Sequence, residues 1–165
     1  MSDAQSDAGP FRVLFVCTGN TCRSPMAEVI ARRRVEELGW SQVLVASAGV
    51  GAFDGAPPSG GAVRVAARNG LDLSEHRASY LSPELAAESD LILTMTPSHL
   101  ARVDQLGAGE RAAVITSFAA GEGEDELGGV PDPIGGPDEE YAATFAVLDD
   151  LIARALQRLE PVVNP

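Results

Sequence analysis

The most constraining feature of the sequence is a short apolar run that ends in a loop of small residues and continues as a helix. Residues 11–16 (FRVLFV) are apolar and rich in branched side chains, which predicts a buried strand. The next eight residues, 17–24 (CTGNTCRS), are small or polar, and Pro25 follows where the first turn of a helix tolerates proline. The apolar pattern over 26–31 then predicts a helix that ends near Gly39. A strand, a tight loop and a helix therefore open the chain.

The same alternation continues to the end of the chain. Further strands are predicted over 43–46, 91–95 and 113–117, and further helices over 62–69, from Ser82, over 97–106 and over 139–159. The last helix has one apolar stripe, formed by Tyr141, Phe145, Leu148, Ile152, Leu156 and Leu159. Strands that alternate with helices form a parallel sheet covered on both faces. We therefore expect a flavodoxin-like doubly wound α/β fold with four parallel strands, which binds ligands beyond the carboxyl ends of its strands.

Length and composition restrict the partners that such a domain can have. Residues 1–10 are polar and acidic and predict a disordered leader, and residues 11–165 are expected to form a single domain. No run approaches the ~20 apolar residues of a membrane span, so we expect no membrane partner. The leader has neither the basic nor the apolar region of a signal peptide, so we expect a cytoplasmic protein. The formal net charge is -12, and all twelve basic residues are arginine. This charge repels nucleic acid, so no nucleic-acid partner is expected, and any phosphorylated substrate must be bound by a local site.

The segment from Cys17 to Ser24, called here the Cys17–Ser24 loop, has the residue types that hold a phosphate. Backbone N–H groups of a tight loop before a helix can all point at one anion. The candidate phosphate-binding residues are Thr18, Gly19, Asn20, Thr21, Cys22, Arg23 and Ser24. Cys17 would lie beneath the phosphorus, and Arg23 could bind two phosphate oxygens at once. This positive environment favours a thiolate at Cys17, to which Ser24 can donate a hydrogen bond. Gly19 is expected to permit the close turn, and Asn20 tolerates a left-handed conformation.

Other interpretations of the two cysteines are weaker. A Cys-x5-Arg spacing can arise by chance, and the alternative to a phosphate-binding loop is a turn with a buried structural cysteine. As metal ligands Cys17 and Cys22 would need two partners, but His76 and His99 lie at no recognisable spacing, so we expect neither a metal nor a cofactor. Two cysteines are also too few for a disulfide framework.

The run VLFVCTGNTCRSPMAE resembles the low-molecular-weight phosphotyrosine phosphatase family, whose loop has Cys-x5-Arg followed by Ser. Segments 47–49 (SAG), 76–78 (HRA), 89–95 (SDLILTM) and 132–133 (DP) fall in family order, so the resemblance covers nearly the whole chain. It implies a cysteine-dependent phosphatase with phosphorylated proteins as substrates. Cys17 would form a cysteinyl-phosphate intermediate, Arg23 would hold the phosphate, and Asp132 would act as general acid and then as base.

The resemblance also assigns supporting residues. We expect four residues to hold the loop in shape through hydrogen bonds behind the phosphate site: Asn20, Ser24, Ser47 and His76. Asp138 lies near Asp132 and could replace it as the acid, but it is expected instead to cap the last helix. His99 is interpreted as a surface residue.

Three positions bear on the substrate: Thr21, Phe53 and Ile134. Phosphotyrosine members of the family usually have a bulky apolar residue in place of Thr21 and two aromatic residues after the Asp-Pro pair. Bacterial protein-arginine phosphatases of the family have CTGNTCRSPMAE, as here, and one apolar residue and two glycines after that pair. Phosphoarginine is therefore the expected substrate. Phe53 lies near the place of a pocket aromatic in tyrosine-type enzymes, so a protein-tyrosine phosphatase is the alternative.

Two other classes share parts of this pattern. Arsenate reductases have the same fold and a similar loop, but they relay a disulfide through cysteines far downstream, and no cysteine follows Cys22. An inactive phosphate-binding module is disfavoured because Cys17, Arg23 and Asp132 are all present. The pair Cys17 and Cys22 in one loop further predicts a redox-sensitive enzyme.

Overall fold

The computed structural model describes residues 9–165, so positions 1–8 of the expected leader lie outside the described residues. The strands are β1 (Phe11–Cys17), β2 (Val43–Gly49), β3 (Leu91–Thr94) and β4 (Ala112–Val114). The helices are α1 (Arg23–Leu38), α2 (Gly60–Arg68), α3 (Pro83–Glu88), α4 (Pro97–Gln105), α5 (Ile115–Ala120) and α6 (Asp138–Val163), with a 3-10 turn at Gly109–Arg111. In the part of the chain that the structure describes, no helix is long and apolar enough to cross a membrane.

The four strands form one parallel sheet in the order β2-β1-β3-β4. β1 pairs with β2 along its whole length, from Phe11 opposite Val43 to Cys17 opposite Gly49, and it pairs with β3 on its other side. The chain therefore winds in opposite directions from β1, and the crevice at the carboxyl ends of β1 and β3 is the place where such folds bind ligands. The predicted flavodoxin-like doubly wound fold is confirmed.

Alternate side chains of β1 supply the cores on the two faces of the sheet. Val13 and Phe15 pack into the larger core with α1, α2 and α6. Leu14 and Val16 pack into the smaller core with α3 and α4. Because both faces of β1 are covered by helices, the strand is continuously apolar from Val13 to Cys17 instead of alternating with polar residues. This strand fixes the position of the loop that follows it.

The long helix α6 closes the larger core with the stripe expected from the sequence. All six predicted positions are buried: Tyr141, Phe145, Leu148, Ile152, Leu156 and Leu159. The helix begins one residue before the predicted start and continues four residues past the predicted end.

The prediction of a strand over 113–117 is wrong beyond Val114. β4 ends there because its partner β3 ends at the paired residue Thr94, so no further ladder can form. The chain turns instead into helix α5, whose first residue, Ile115, is fully buried in the larger core. Hydrophobic periodicity cannot distinguish a short buried helix from a short buried strand, which is why the prediction from sequence was wrong for this segment.

Candidate active site

The Cys17–Ser24 loop leaves the carboxyl end of β1 and enters α1 at Arg23. Asn20 adopts the left-handed conformation with φ 57°, as its residue type suggested. The carbonyl oxygens of the loop bond to segments around it: Cys17 O accepts from Val50 N at 3.0 Å and Thr18 O accepts from Gly51 N at 2.9 Å. Turning these carbonyls toward neighbouring segments leaves the concave side of the loop to its N–H groups, which is the arrangement that binds an anion.

A glycine outside the loop allows its close turn. A Cβ atom on Gly49, at the end of β2, would lie 2.5 Å from Thr18 O and 2.8 Å from Asn20 N. A Cβ on Gly19 would meet only Thr21 Oγ1, at 3.6 Å, which is ordinary contact. Gly19 is the glycine that the sequence predicts to permit the close turn, but in the structure it is Gly49 whose missing Cβ makes room for the loop. The parallel register, with Gly49 opposite Cys17, is what brings the two backbones together.

The sulfur of Cys17 is buried and lies 2.9 Å from Ser24 Oγ. Asn20 Nδ2 donates to the same Ser24 Oγ at 2.8 Å. Because the serine oxygen accepts from Asn20, its own proton can point at the sulfur of Cys17 or at Ala48 O, and the carbonyl oxygen lies farther away, at 3.4 Å. A hydroxyl donor at this distance stabilises the thiolate over the thiol.

Asn20 is the centre of the supporting network. Its Nδ2 also donates to Ser47 Oγ at 2.9 Å, its Oδ1 accepts from Ser79 N at 2.8 Å, and its backbone oxygen lies 2.8 Å from His76 Nε2. The structure thus brings Ser47 and His76 to the loop as the resemblance implied. It adds Glu28, whose Oε1 accepts from Ser47 Oγ at 2.5 Å. The sequence did not identify Glu28, because only the folded α1 brings that helical position next to β2.

Arg23 is buried, with 4% of its surface exposed, and it connects the loop to the segment that carries Asp132. Its Nη1 donates to Val130 O at 2.9 Å, and its Nη2 lies 3.5 Å from Asp132 Oδ2. Val130 is itself fixed by a 2.8 Å bond from its N–H to Met95 O, at the end of β3. The Asp132 side chain is 40% exposed, and its Oδ1 accepts from Ile134 N at 3.1 Å. The candidate acid is therefore held beside the arginine and still reaches solvent.

Of the three candidate specificity residues, Thr21 lies in the loop, and Phe53 and Ile134 lie in segments that follow residues bonded to it or to Arg23. Thr21 is half-buried, and its backbone oxygen accepts from Ser59 N at 2.9 Å. Phe53 is 82% exposed in the segment after β2, and Ile134 is 60% exposed two residues after Asp132. An aromatic and an aliphatic side chain are thus both open to solvent in segments that border the site.

Cys22 is buried on the helical side of the loop. Its sulfur lies 3.2 Å from Ser59 Oγ and 3.6 Å from the Tyr141 hydroxyl of α6. Burial raises the pKa of Tyr141 above its ordinary value. Both cysteines are free.

The interpretation of His99 as a surface residue is wrong. His99 is only 2% exposed, and its Nε2 lies 2.9 Å from Thr18 Oγ1 in the loop. Burial, assisted by the charge of Arg23, lowers the pKa of His99 to about 4, and Asp132 opposes this shift in part. A signal was present in the sequence, since a Thr-Pro pair at a helix start places the residue at 99 in the third helical position of a capping box.

Asp138 also differs from its expected role. It is the first residue of α6 and makes no capping bond, because Pro137 occupies the N-cap position. Its carboxylate instead bonds to Arg64 at 2.9 Å and to Arg68 at 3.1 Å. The Arg64 bond lowers the pKa of Asp138, and arginines bond to both of its oxygens, so this carboxyl is poorly suited to act as a substitute acid.

Comparisons with known proteins agree with this geometry. Residues 12–163 match the model of the low molecular weight phosphotyrosine protein phosphatases. The chain is 36% identical to a protein-arginine-phosphatase of Geobacillus stearothermophilus over 92% of this chain and 97% of that relative. It is 37% identical to the low molecular weight protein-tyrosine-phosphatase Wzb of Escherichia coli over 83% of this chain and 87% of that relative.

A solved structure shows the same fold. A mutant of the YwlE arginine phosphatase, with a phosphorylated active-site serine in place of cysteine, superposes with a TM-score of 0.82 at 32% identity. The match covers 91% of this chain and 96% of that one. The chain therefore belongs to the low-molecular-weight phosphotyrosine protein phosphatase family, whose members are protein phosphatases.

Proposed function

We propose that this chain removes phosphate from proteins through a cysteinyl-phosphate intermediate on Cys17. The observation that carries the proposal is the environment of Arg23. Among the described residues, its Nε is a buried side-chain donor without a hydrogen-bond partner. A buried unsatisfied N–H costs about 1–3 kcal/mol, which a phosphate oxygen would recover. The same loop holds the sulfur of Cys17 within hydrogen-bond distance of the Ser24 hydroxyl.

The reaction then has two displacements at phosphorus. The thiolate of Cys17 attacks, a sulfur–phosphorus bond forms, and the bond from phosphorus to the leaving group breaks while Asp132 gives that group a proton. Asp132, now ionised, takes a proton from water, which attacks phosphorus and releases phosphate and the thiolate. Arg23 would hold two equatorial oxygens through both steps. The 3.5 Å separation of Arg23 from Asp132 supports this division of roles, because it places acid and phosphate holder side by side.

We propose phosphoarginine as the substrate side chain. Its guanidinium is flat and polar, so a small hydroxyl-bearing wall at Thr21 suits it better than a long aliphatic side chain. The position after the Asp-Pro pair is Ile134, followed by two glycines, so no aromatic side chain stands there to pack on a tyrosine ring. The similarity to an arginine phosphatase over nearly the whole chain supports the same assignment. Asp132 would hold the guanidinium as well as protonate its nitrogen.

The test is a comparison of kcat/KM on phosphoarginine and phosphotyrosine peptides of the same sequence. The wild type should prefer phosphoarginine, and Thr21→Ile should shift the ratio toward phosphotyrosine by tenfold or more, since an apolar contact of that size is worth about 1–2 kcal/mol. Thr21→Val is the matched control, because it removes the hydroxyl without adding length. Turnover of a small aryl phosphate, which is too short to depend on the side chain at position 21, should change much less.

One observation favours the alternative of a protein-tyrosine phosphatase. Phe53 is 82% exposed beside the segment that bonds to Thr18, and an aromatic ring there could pack on a phenyl ring. A wild type that prefers phosphotyrosine, and loses that preference in Phe53→Ala, would assign the chain to the tyrosine class.

A further inference from the structure

His99 is a buried polar residue that the proposed reaction does not use. It lies in the first turn of α4 and is 2% exposed. One ring nitrogen, Nδ1, faces the start of its own helix, where Thr96 N lies at 3.2 Å and Thr96 Oγ1 at 3.1 Å. The other nitrogen, Nε2, lies 2.9 Å from Thr18 Oγ1, next to Cys17 in the chain. The imidazole therefore bridges α4 and the Cys17–Ser24 loop.

The helix start fixes which ring nitrogen carries the proton. The backbone N–H of Thr96 can only donate, so Nδ1 must accept and be unprotonated. In the neutral ring the proton is then on Nε2, which donates to the hydroxyl oxygen of Thr18. Arg23 lies close enough to disfavour a positive ring, and Asp132 is the opposing charge. The ring is consequently neutral at cellular pH, in one tautomer.

We propose that His99 is a positioning residue, which holds the Cys17–Ser24 loop in its anion-binding conformation by donating a hydrogen bond to Thr18. Thr18 is exposed, so packing constrains its side chain less than that of a buried residue. The backbone oxygen of Thr18 accepts from Gly51 N at 2.9 Å on the side of β2. Its hydroxyl accepts from His99 in α4, which follows β3. The residue after Cys17 is thereby fixed from both sides of the crevice.

Two variants separate the two bonds of the imidazole. Asn at this position can place its Oδ1 near the former Nδ1 and keep the helix cap, but it is too short to reach Thr18. Gln can place its Nε2 near the former Nε2 and donate to Thr18, but it gives up the cap. The probe is orthovanadate as a competitive oxyanion inhibitor, measured with the full chain and para-nitrophenyl phosphate. Thermal unfolding is measured in parallel for each variant.

His99→Asn should weaken vanadate inhibition and kcat/KM by roughly three- to tenfold, the value of one neutral hydrogen bond. Thr18→Val, which removes the accepting hydroxyl, should do the same, and the double variant should be no worse than either single one. His99→Gln should restore most of the inhibition even though it lowers the melting temperature.

This inference rests on the proposed function only in requiring that the loop bind an oxyanion, and the wild type tests that requirement separately. A wild type that vanadate does not inhibit would overturn the proposed function. If vanadate inhibits the wild type, two results would overturn the positioning role of His99. The first is inhibition of His99→Asn and His99→Gln that follows only their melting temperatures. The second is a double variant whose loss equals the sum of the two single losses.

Discussion

The substitution Gly49→Ala tests how the backbone of β2 shapes the site. The added Cβ would lie 2.5 Å from Thr18 O, whereas real Cβ atoms essentially never come within 3.0 Å of such an atom, so the loop must move by at least about 0.5 Å. The atoms in the way are backbone and cannot rotate aside. Overpacking of this kind costs roughly 1–3 kcal/mol of stability. A displacement approaching 1 Å at a reacting group can lower the rate by about a hundredfold.

The assay is kcat/KM for para-nitrophenyl phosphate, with urea unfolding of the same samples. Gly51→Ala is the matched control, because its Cβ would meet Thr18 O at an ordinary 3.8 Å and keeps the N–H that bonds to the loop. We expect Gly49→Ala to lose between about tenfold and a hundredfold in kcat/KM, because the 0.5 Å shift is the minimum, and the control to stay near the wild type in both measurements. Wild-type kinetics in Gly49→Ala would refute the argument that the loop is held by contact with β2.

Four further predictions concern Asn20, His99, Asp132 and the two cysteines. Asn20→Ala removes three side-chain hydrogen bonds and should lower the free energy of unfolding in urea by about 3 kcal/mol. This loss should exceed that of Asn20→Gly by about 1 kcal/mol, because alanine is strained at φ 57°. Equal losses in the two variants would contradict the strain. Lowering the pH from 6.5 toward 4 should destabilise the fold, because the unfolded chain binds a proton at His99 before the folded one does, and His99→Asn should flatten that dependence. Asp132→Asn should slow poor leaving groups more than activated aryl phosphates, and equal losses would place the acid elsewhere. Peroxide should give a Cys17–Cys22 disulfide that thiols reopen, with sulfonic acid as sole product counting against it.

The alternation of apolar runs was sufficient to predict the fold. Each strand that pairs on both sides is a run of branched side chains, and a helix pattern follows each one, which leaves a doubly wound sheet as the simple solution. The failure at Ile115 has a local cause: the end of β4 is decided by where β3 ends, and no residue of β4 itself records that. Pairing with another strand is a property of the whole sheet.

The candidate site was predictable where its residues are neighbours in the chain. Cys17, Ser24 and Arg23 belong to one loop, so their spacing carries the geometry. Gly49 and His99 were missed because only the sheet brings them to the loop, Gly49 from the end of β2 and His99 from the start of α4, which follows β3. Their residue types are ordinary for turns and helix starts, and only the parallel register brings them to Thr18.

The central claim, that Cys17 carries phosphate during turnover, can be tested by trapping the intermediate. Asp132→Asn, lacking the base for the second step, is mixed with para-nitrophenyl phosphate, whose leaving group needs little protonation, and is quenched in acid within the first turnover. Fragmentation mass spectrometry then locates the phosphoryl group. The account predicts one phosphoryl group on Cys17 and none on Cys22, and no labelling of Cys17→Ala. Phosphate on any other residue, or an enzyme that turns over with Cys17 unmodified, would contradict it.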